Sequence, residues 1–142
     1  MKKMILSAIF ACCAASFAGA RTTLDLLKQY RWESYDWKEM TLVKLFTNTT
    51  YNTLAIDNVD NTTDEDPYQF YLSGNEETTF VQSKVGQVQY GKFIIAKSLE
   101  NGEVSCYRII TLNDTELYFI YCPKPGEQMF GGGPIRYYAK PK

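Results

Sequence analysis

The segment 90–122 constrains the fold of this chain more than any other part of the sequence. It contains three runs rich in β-branched and aromatic residues, at positions 93–97, 104–112 and 117–122. Short segments with turn-forming residues separate these runs. Because turns this short join antiparallel neighbours, the segment is predicted to form a three-stranded meander. Three strands expose two edges, which the flanking sequence has to cover or close.

The flanking sequence carries further short runs of the same kind, so the chain holds about nine candidate strands. A short helix is predicted before them, at 22–29, with leucines at helical spacing. The additional strands are predicted at 30–37, 41–46, 51–56, 68–72, 78–82 and 135–139. The most polar segment, 57–67, is predicted to be a solvated loop.

Close and regular strand spacing is typical of an all-β barrel or sandwich. A chain that begins with a strand near Trp32 and ends with one near Tyr138 can pair these two strands and remove both edges. We therefore predict an up-and-down antiparallel β-barrel of about eight or nine strands with a short N-terminal helix. A sandwich is the alternative.

The first twenty residues have the three regions of a secretory signal peptide. Met1-Lys2-Lys3 is basic, positions 4–17 are apolar, and Ala18-Gly19-Ala20 fits a cleavage site before Arg21. This predicts export to the periplasm or the extracellular space. The alternatives are a buried N-terminal helix, a membrane anchor, or a lipoprotein signal in which Cys12 carries the lipid.

Removal of this segment leaves residues 21–142, the length of one domain. It takes Lys2 and Lys3 from the 15 basic residues, so 13 face 16 acidic ones and the net charge is −3. No basic stripe is present, which argues against nucleic acid as a partner. The chain has no histidine, the commonest general base and imidazole ligand.

Several other features give no catalytic or metal site. The carboxylates at 57–66 lack the spacing of an EF-hand, and Gly131-Gly132-Gly133 is followed by Pro134 rather than by a P-loop lysine. No nucleophile–base arrangement is recognisable. We predict no cofactor, no metal and no enzymatic activity. A hydrolase that uses paired carboxylates is the remaining catalytic alternative.

The two cysteines outside the signal-like segment, Cys106 and Cys122, are predicted on adjacent strands. A three-residue loop between the strands would place them opposite each other on one face, where they can form a disulfide. A four-residue loop, with Leu112 opposite Leu117, would turn them to opposite faces. The sequence allows both.

The order of these features resembles the lipocalin-like domains of exported proteins from Bacteroides-type bacteria. The similar motifs are Trp32 on the first strand, LFTNTTY at 45–51, YRIITLNDTEL at 107–117, and Arg136-Tyr137-Tyr138 near the end. The resemblance implies a barrel in which Arg136 stacks over Trp32 and closes one end, a cation–π contact of about 0.5–2 kcal/mol.

A small barrel either fills with side chains or leaves room for one small ligand. The aromatic residues expected to line the interior are Trp32, Tyr35, Trp37, Phe46, Phe70, Phe93, Tyr107 and Phe119. Our first hypothesis is an exported, non-catalytic barrel that binds a small apolar or amphiphilic ligand in its mouth. The second is an envelope protein-interaction or inhibitor module with a filled barrel and functional loops.

Overall fold

The computed structural model describes residues 21–34, 39–128 and 134–142. The signal-like segment 1–20, including Cys12, lies outside these ranges, as does the glycine triplet at 131–133. The described residues form a short helix, α1 (Thr23–Gln29), and eight strands. The strands are β1 (Arg31–Ser34), β2 (Met40–Phe46), β3 (Thr50–Asp57), β4 (Thr62–Ser73), β5 (Phe93–Ser98), β6 (Val104–Leu112), β7 (Glu116–Tyr121) and β8 (Arg136–Lys140).

The eight strands form one closed barrel in sequence order, and every neighbouring pair is antiparallel. Closure occurs between the first and last strands, where Trp32 lies opposite Ala139 and Glu33 opposite Tyr138. The predicted up-and-down barrel is confirmed, and the sandwich is excluded. Closure leaves no free edge where the strands overlap around the barrel.

Helix α1 packs on one end of the barrel, which we call the helix end. Thr22 and Asp25 form a capping box, in which each side chain accepts a hydrogen bond from the other residue's backbone N–H. A seven-residue helix is too short to be stable alone, and it is stabilised by burying Leu24 and Leu27. The indole N–H of Trp32 donates to the Leu27 carbonyl at 2.9 Å and fixes the helix to β1.

Among the described residues, this seven-residue segment is the one α-helix, and no helix there is long and apolar enough to cross a membrane.

Side chains that face the barrel interior make the main core. Its buried members include Trp32, Phe46, Tyr51, Phe70, Leu72, Ile94, Ala96, Leu117, Phe119 and Tyr137. They alternate with outward-facing residues along each strand, as the two-residue period of a strand requires.

We call the segment that joins β4 to β5, residues 74–92, the outer strap, because part of it lies against the outer face of the barrel. Phe80 and Val85 of the strap pack on a second buried cluster formed by Tyr71, Ile95 and Cys106. The strap holds a 3-10 turn at Gln82–Lys84 and no strand. The prediction of a strand at 78–82 is therefore wrong, because these residues cover a sheet face instead of extending its ladder.

The prediction of a solvated loop at 57–67 is also wrong for most of its length. Strand β3 continues to Asp57, β4 begins at Thr62, and the pairing runs through Ile56 opposite Thr63. The turn is confined to residues 58–61, where Asn61 adopts a positive φ of 58°. Asparagine tolerates this conformation better than most residues, so a tight turn can replace the long loop.

A β-bulge at Ile110 sets the register of the two cysteines. Leu112 lies opposite Leu117, the pairing that was expected to turn the cysteines to opposite faces. The bulge adds one residue to β6 and shifts the register between Ile109 and Thr111. As a result the Cys122 N–H donates to the Cys106 carbonyl at 2.8 Å, and the two residues share the outer face. Both are free thiols in the structure.

Candidate functional site

Five of the eight aromatic residues predicted to line the interior belong to the interior core. Trp32, Phe46 and Phe70 are fully buried towards the helix end, while Phe119 and the partly buried Tyr107 pack further along the barrel. Tyr35 and Trp37 lie outside the described residues. Five of the six candidates that the structure describes therefore face the interior.

Phe93 does not line the interior. Its neighbours Ile94 and Ala96 belong to the interior core, so the strand period turns Phe93 to the outer face. There it packs with Tyr71 and Cys106 beneath the outer strap. The prediction for Phe93 is wrong because the apolar run at 93–96 is covered on both faces, and composition alone does not show which residues point inward.

Arg136 does not contact Trp32. Trp32 pairs with Ala139, three positions from Arg136 on β8, so alternation places Arg136 on the outer face while Trp32 is buried inside. The guanidinium lies 4.5 Å from the centre of the Tyr118 ring and donates to Glu116 at 2.6 Å. The predicted closing contact is wrong. The helix end is covered by α1 instead.

The inward-facing side chains of β4 change from apolar to polar with distance from the helix end. Phe70 is fully buried, Tyr68 and Asp66 are partly exposed, and Asp64 is exposed. Tyr68 and Asp66 lie opposite the inward-facing Tyr51 and Thr53 of β3. Along β4 the inner wall is thus buried at the helix end and becomes more exposed towards the other end of the barrel, which we call the mouth.

Aromatic rings form much of the wall between the sealed core and the mouth. Tyr51 and Tyr68 stack with their ring centres 4.9 Å apart. Tyr107 packs edge-on against Phe119 and Tyr121, with ring centres 5.2 Å and 5.7 Å apart respectively. Rings of this kind offer flat apolar faces together with hydroxyl groups, which suits a ligand that has both apolar and polar parts.

A lysine side chain is buried inside this aromatic wall. Lys44 is 8% exposed, and its Nζ donates to the Thr53 Oγ1 at 2.8 Å. The same nitrogen lies 4.9 Å from the ring centre of Tyr51, 5.5 Å from Phe119 and 5.6 Å from Tyr137. Three cation–π contacts and one hydrogen bond therefore surround an ammonium that can donate three hydrogen bonds.

Lys44 has no ion-pair partner within the part of the chain that the structure describes. Burial lowers its pKa to about 8, and the more distant charge of Asp66 opposes this shift. The Asp66 carboxylate is engaged elsewhere, since it accepts a hydrogen bond from the Tyr68 hydroxyl at 2.5 Å. A buried cation without a paired anion is unfavourable for folding, which indicates a role other than stability.

Two tyrosine hydroxyls add to the donors around Lys44. Burial raises the pKa of Tyr51 and of Tyr137, so both remain protonated donors at neutral pH. Neither hydroxyl makes a hydrogen bond to another described residue. The Lys44 ammonium and two phenol groups can therefore all donate to a bound acceptor in this part of the barrel.

The prediction from sequence did not include Lys44, Thr53 or Asp66. A signal for Lys44 was present, because in MTLVKLF at 40–46 it shares the strand period of the core residue Phe46. A lysine in phase with core positions is unusual, since lysine is rarely buried without a partner. No group of three or more metal-ligating side chains occurs among the described residues.

Comparison with known protein families, characterised proteins and solved structures finds no match to this chain. The fold class therefore rests on the strand pairing described above. The resemblance to lipocalin-like domains stays a prediction from short motifs. The chemistry of the barrel interior is the best indication of function.

Proposed function

We propose that this protein is a non-catalytic barrel that binds a small amphiphilic molecule in its mouth. One observation carries the proposal: along β4 the inward-facing wall changes from the buried Phe70 to the partly exposed Tyr68 and Asp66. A barrel serving only as a packed scaffold has no need for polar, solvent-accessible groups on its inner face. Eight-stranded barrels with this character have the right diameter for one small ligand.

The two parts of the wall suit the two parts of such a ligand. The stacked rings of Tyr51 and Tyr68 and the edge contacts of Tyr107 present apolar surface to a hydrocarbon or aromatic body. The polar groups nearby, Thr53 and Asp66, can orient a polar end. A few polar groups in a mainly apolar wall are typical of small-molecule sites.

Binding can be tested directly with the purified protein. A panel of ten-carbon amphiphiles and small aromatic compounds would be titrated while tryptophan fluorescence is recorded, because Trp32 is in the interior core. The matched pair Tyr68→Ala and Tyr118→Ala separates the inner face from the outer one. We expect saturable binding that Tyr68→Ala weakens and Tyr118→Ala leaves unchanged. Equal binding by both variants, or no binding at all, would contradict the proposal.

A second candidate is a protein-interaction module, and one feature of β4 favours it. The first residues of β4, from Thr62 to Asp66, pair with β3, but β5 pairs only from Tyr68 onwards. This leaves a short unpaired edge that carries Asp64, Glu65 and Asp66. Such an edge can accept an extended, basic segment of another protein.

The two candidates can be separated with a variant of the unpaired edge. Glu65→Lys reverses a charge on this edge and should release a protein partner recovered from envelope extract if the edge binds a basic segment. The same variant should leave amphiphile binding nearly unchanged, since Glu65 faces away from the interior. A partner retained by Glu65→Lys would count against the second candidate.

Export is part of the proposal, and it is supported by the order of basic, apolar and cleavage-site regions in residues 1–20. N-terminal sequencing of the protein from periplasmic and extracellular fractions tests it. A mature chain beginning at Arg21 is expected. A mature chain beginning at a lipid-modified Cys12 would show the lipoprotein alternative to be correct.

A further inference from the structure

We infer that the amphiphile bound in the mouth carries an anionic head group, such as a carboxylate, that docks on the Lys44 ammonium. The inference rests on the proposed function and specifies the class of ligand. It depends on three observations: the burial of Lys44, its incomplete set of partners among the described residues, and the two nearby tyrosine hydroxyls that make no hydrogen bond to another described residue.

The first observation is the position of the Lys44 ammonium in the barrel. Lys44 is in register with Thr53, which in turn is in register with the partly exposed Asp66. The ammonium is therefore buried between the sealed core and the mouth, on the inner face. A ligand that enters along the aromatic wall meets this cation before it reaches the apolar core at Phe70 and Leu72.

The second observation is that the Lys44 ammonium lacks an anionic partner and a full set of hydrogen-bond acceptors among the described residues. The hydrogen bond to Thr53 uses one of three ammonium protons, and the faces of Tyr51, Phe119 and Tyr137 supply only weak acceptors. Among the described side chains no carboxylate lies within ion-pair distance. An anionic head group would supply both the missing charge and the missing acceptors.

The third observation concerns the neighbouring hydroxyls. Tyr51 and Tyr137 keep their protons and are free to donate within the described structure. Two phenol groups and an ammonium can together surround the two oxygens of a carboxylate. A carboxylate brings only acceptors to these donors, whereas an alcohol brings fewer acceptors and a cationic head group would bring a second positive charge beside the Lys44 ammonium.

Asp66 provides an internal test of the sign of the ligand charge. Its negative charge is close enough to stabilise the charged form of Lys44, although its carboxylate accepts a hydrogen bond from the Tyr68 hydroxyl and not from Lys44. Removing this charge with Asp66→Asn should tighten the binding of an anion and weaken that of a cation. Removing the opposite charge with Lys44→Met should have the reverse effects.

The experiment compares three probes with the same ten-carbon tail: decanoate, decanol and decylamine. Each is titrated by calorimetry into the wild-type protein, Lys44→Met and Asp66→Asn at pH 7. We expect decanoate to bind most tightly. Lys44→Met should weaken decanoate binding by about tenfold to a hundredfold, the effect of losing a charge-assisted hydrogen bond, and leave decanol within about twofold. Asp66→Asn should strengthen decanoate binding by several-fold.

The outcomes separate this inference from the proposed function. If decanol and decanoate bind equally, and Lys44→Met changes neither, the mouth binds amphiphiles but the anionic head group is refuted. If none of the three probes binds the wild-type protein, both proposals fail for this class of ligand. A folding defect cannot imitate the expected result, because a misfolded Lys44→Met protein would lose decanol binding together with decanoate binding, whereas the inference expects decanol binding to stay within about twofold.

Discussion

Cys106 on β6 lies directly opposite Cys122, the residue that follows β7, and the Cys122 N–H donates a hydrogen bond to the Cys106 carbonyl. The bulge at Ile110 produces this relationship, because without the extra residue the register of Leu112 and Leu117 would continue and separate the thiols. Opposed residues of an antiparallel pair have Cα atoms about 5.5 Å apart, within the range of disulfides. The register therefore permits the bridge that the sequence left undecided.

Because the two thiols lie opposite each other, we predict that they form a disulfide in an oxidising compartment. The two thiols would transfer two electrons and two protons to oxidised glutathione, which leaves as two reduced molecules. Burial raises the pKa of the Cys122 thiol to about 12, so the exchange should be slow at pH 7 and faster in more alkaline solution. Intact mass spectrometry should show the loss of two hydrogens in the wild-type protein.

The bridge would enclose the β6–β7 hairpin and stabilise the protein by about 3 kcal/mol, the value for a loop of about 15 residues. Urea unfolding with and without reductant measures this difference. Cys122→Ser is the control and should show no dependence on reductant. Equal stability of the oxidised and reduced wild-type protein would contradict the prediction.

Replacing the buried ammonium should make the protein more stable. Lys44→Met has a similar volume, and it removes the cost of burying an unpaired charge. We expect the free energy of unfolding at pH 7 to rise by about 1–3 kcal/mol, measured by urea denaturation. Lys97→Met, a change in a lysine on the outer face, is the control and should have little effect. A loss of stability in Lys44→Met would show that the cation–π contacts outweigh the cost of burial.

The lowered pKa of Lys44 predicts how the free energy of unfolding changes with pH. Burial lowers the pKa of Lys44 from 10.5 to about 8. Between these values the unfolded chain keeps a proton that the folded protein has released, so this group makes folding more favourable as the pH rises. The free energy of unfolding of the wild-type protein, minus that of Lys44→Met, should therefore increase by about 2 kcal/mol from pH 7 to pH 10.

The comparison has to use the difference in free energy of unfolding between the wild-type protein and Lys44→Met. Burial also raises the pKa values of tyrosines and of both cysteines, and these groups lower stability as the pH rises, because the unfolded chain releases their protons first. They are common to both proteins and largely cancel. A difference that stays flat or falls between pH 8 and pH 10 would show that Lys44 is not desolvated.

The outer strap is held in part by the Tyr71 hydroxyl. This hydroxyl donates to Glu77 at 2.7 Å and accepts from the Val81 N–H at 3.2 Å. Tyr71→Phe removes these bonds and should cost about 1–3 kcal/mol of stability. Amide hydrogen exchange should speed up in residues 74–92 more than in the barrel strands. Tyr90→Phe, at an exposed position, is the control and should leave exchange unchanged.

The barrel itself was predictable because its signals are local. The alternating β-branched and aromatic residues at 93–97 and 104–112 and the turns between them specify a meander, and a meander with compatible ends closes most simply as a barrel. The outer strap was not predictable in the same way. Its run at 78–82 has strand composition, and only the tertiary fold shows that it covers Tyr71 rather than pairing.

The site was predictable in composition and not in detail. The sequence indicates an aromatic interior, but the inward or outward direction of Phe93 and Arg136 depends on register, which a single bulge or turn can change. Lys44 was not predicted because lysines on strands are usually exposed, and its inward direction depends on register. Its lack of an ion-pair partner among the described residues is a property of the folded barrel and has no sequence signature.

Docking of an anionic amphiphile on Lys44 inside the mouth can be observed by nuclear magnetic resonance of the lysine side chains during a decanoate titration. The signals next to the Lys44 ammonium should shift in saturable fashion, and the pKa of this group should rise above about 8, because a bound anion stabilises the charged form. Shifts confined to surface lysines such as Lys97 and Lys124, with Lys44 unchanged at saturation, would contradict it.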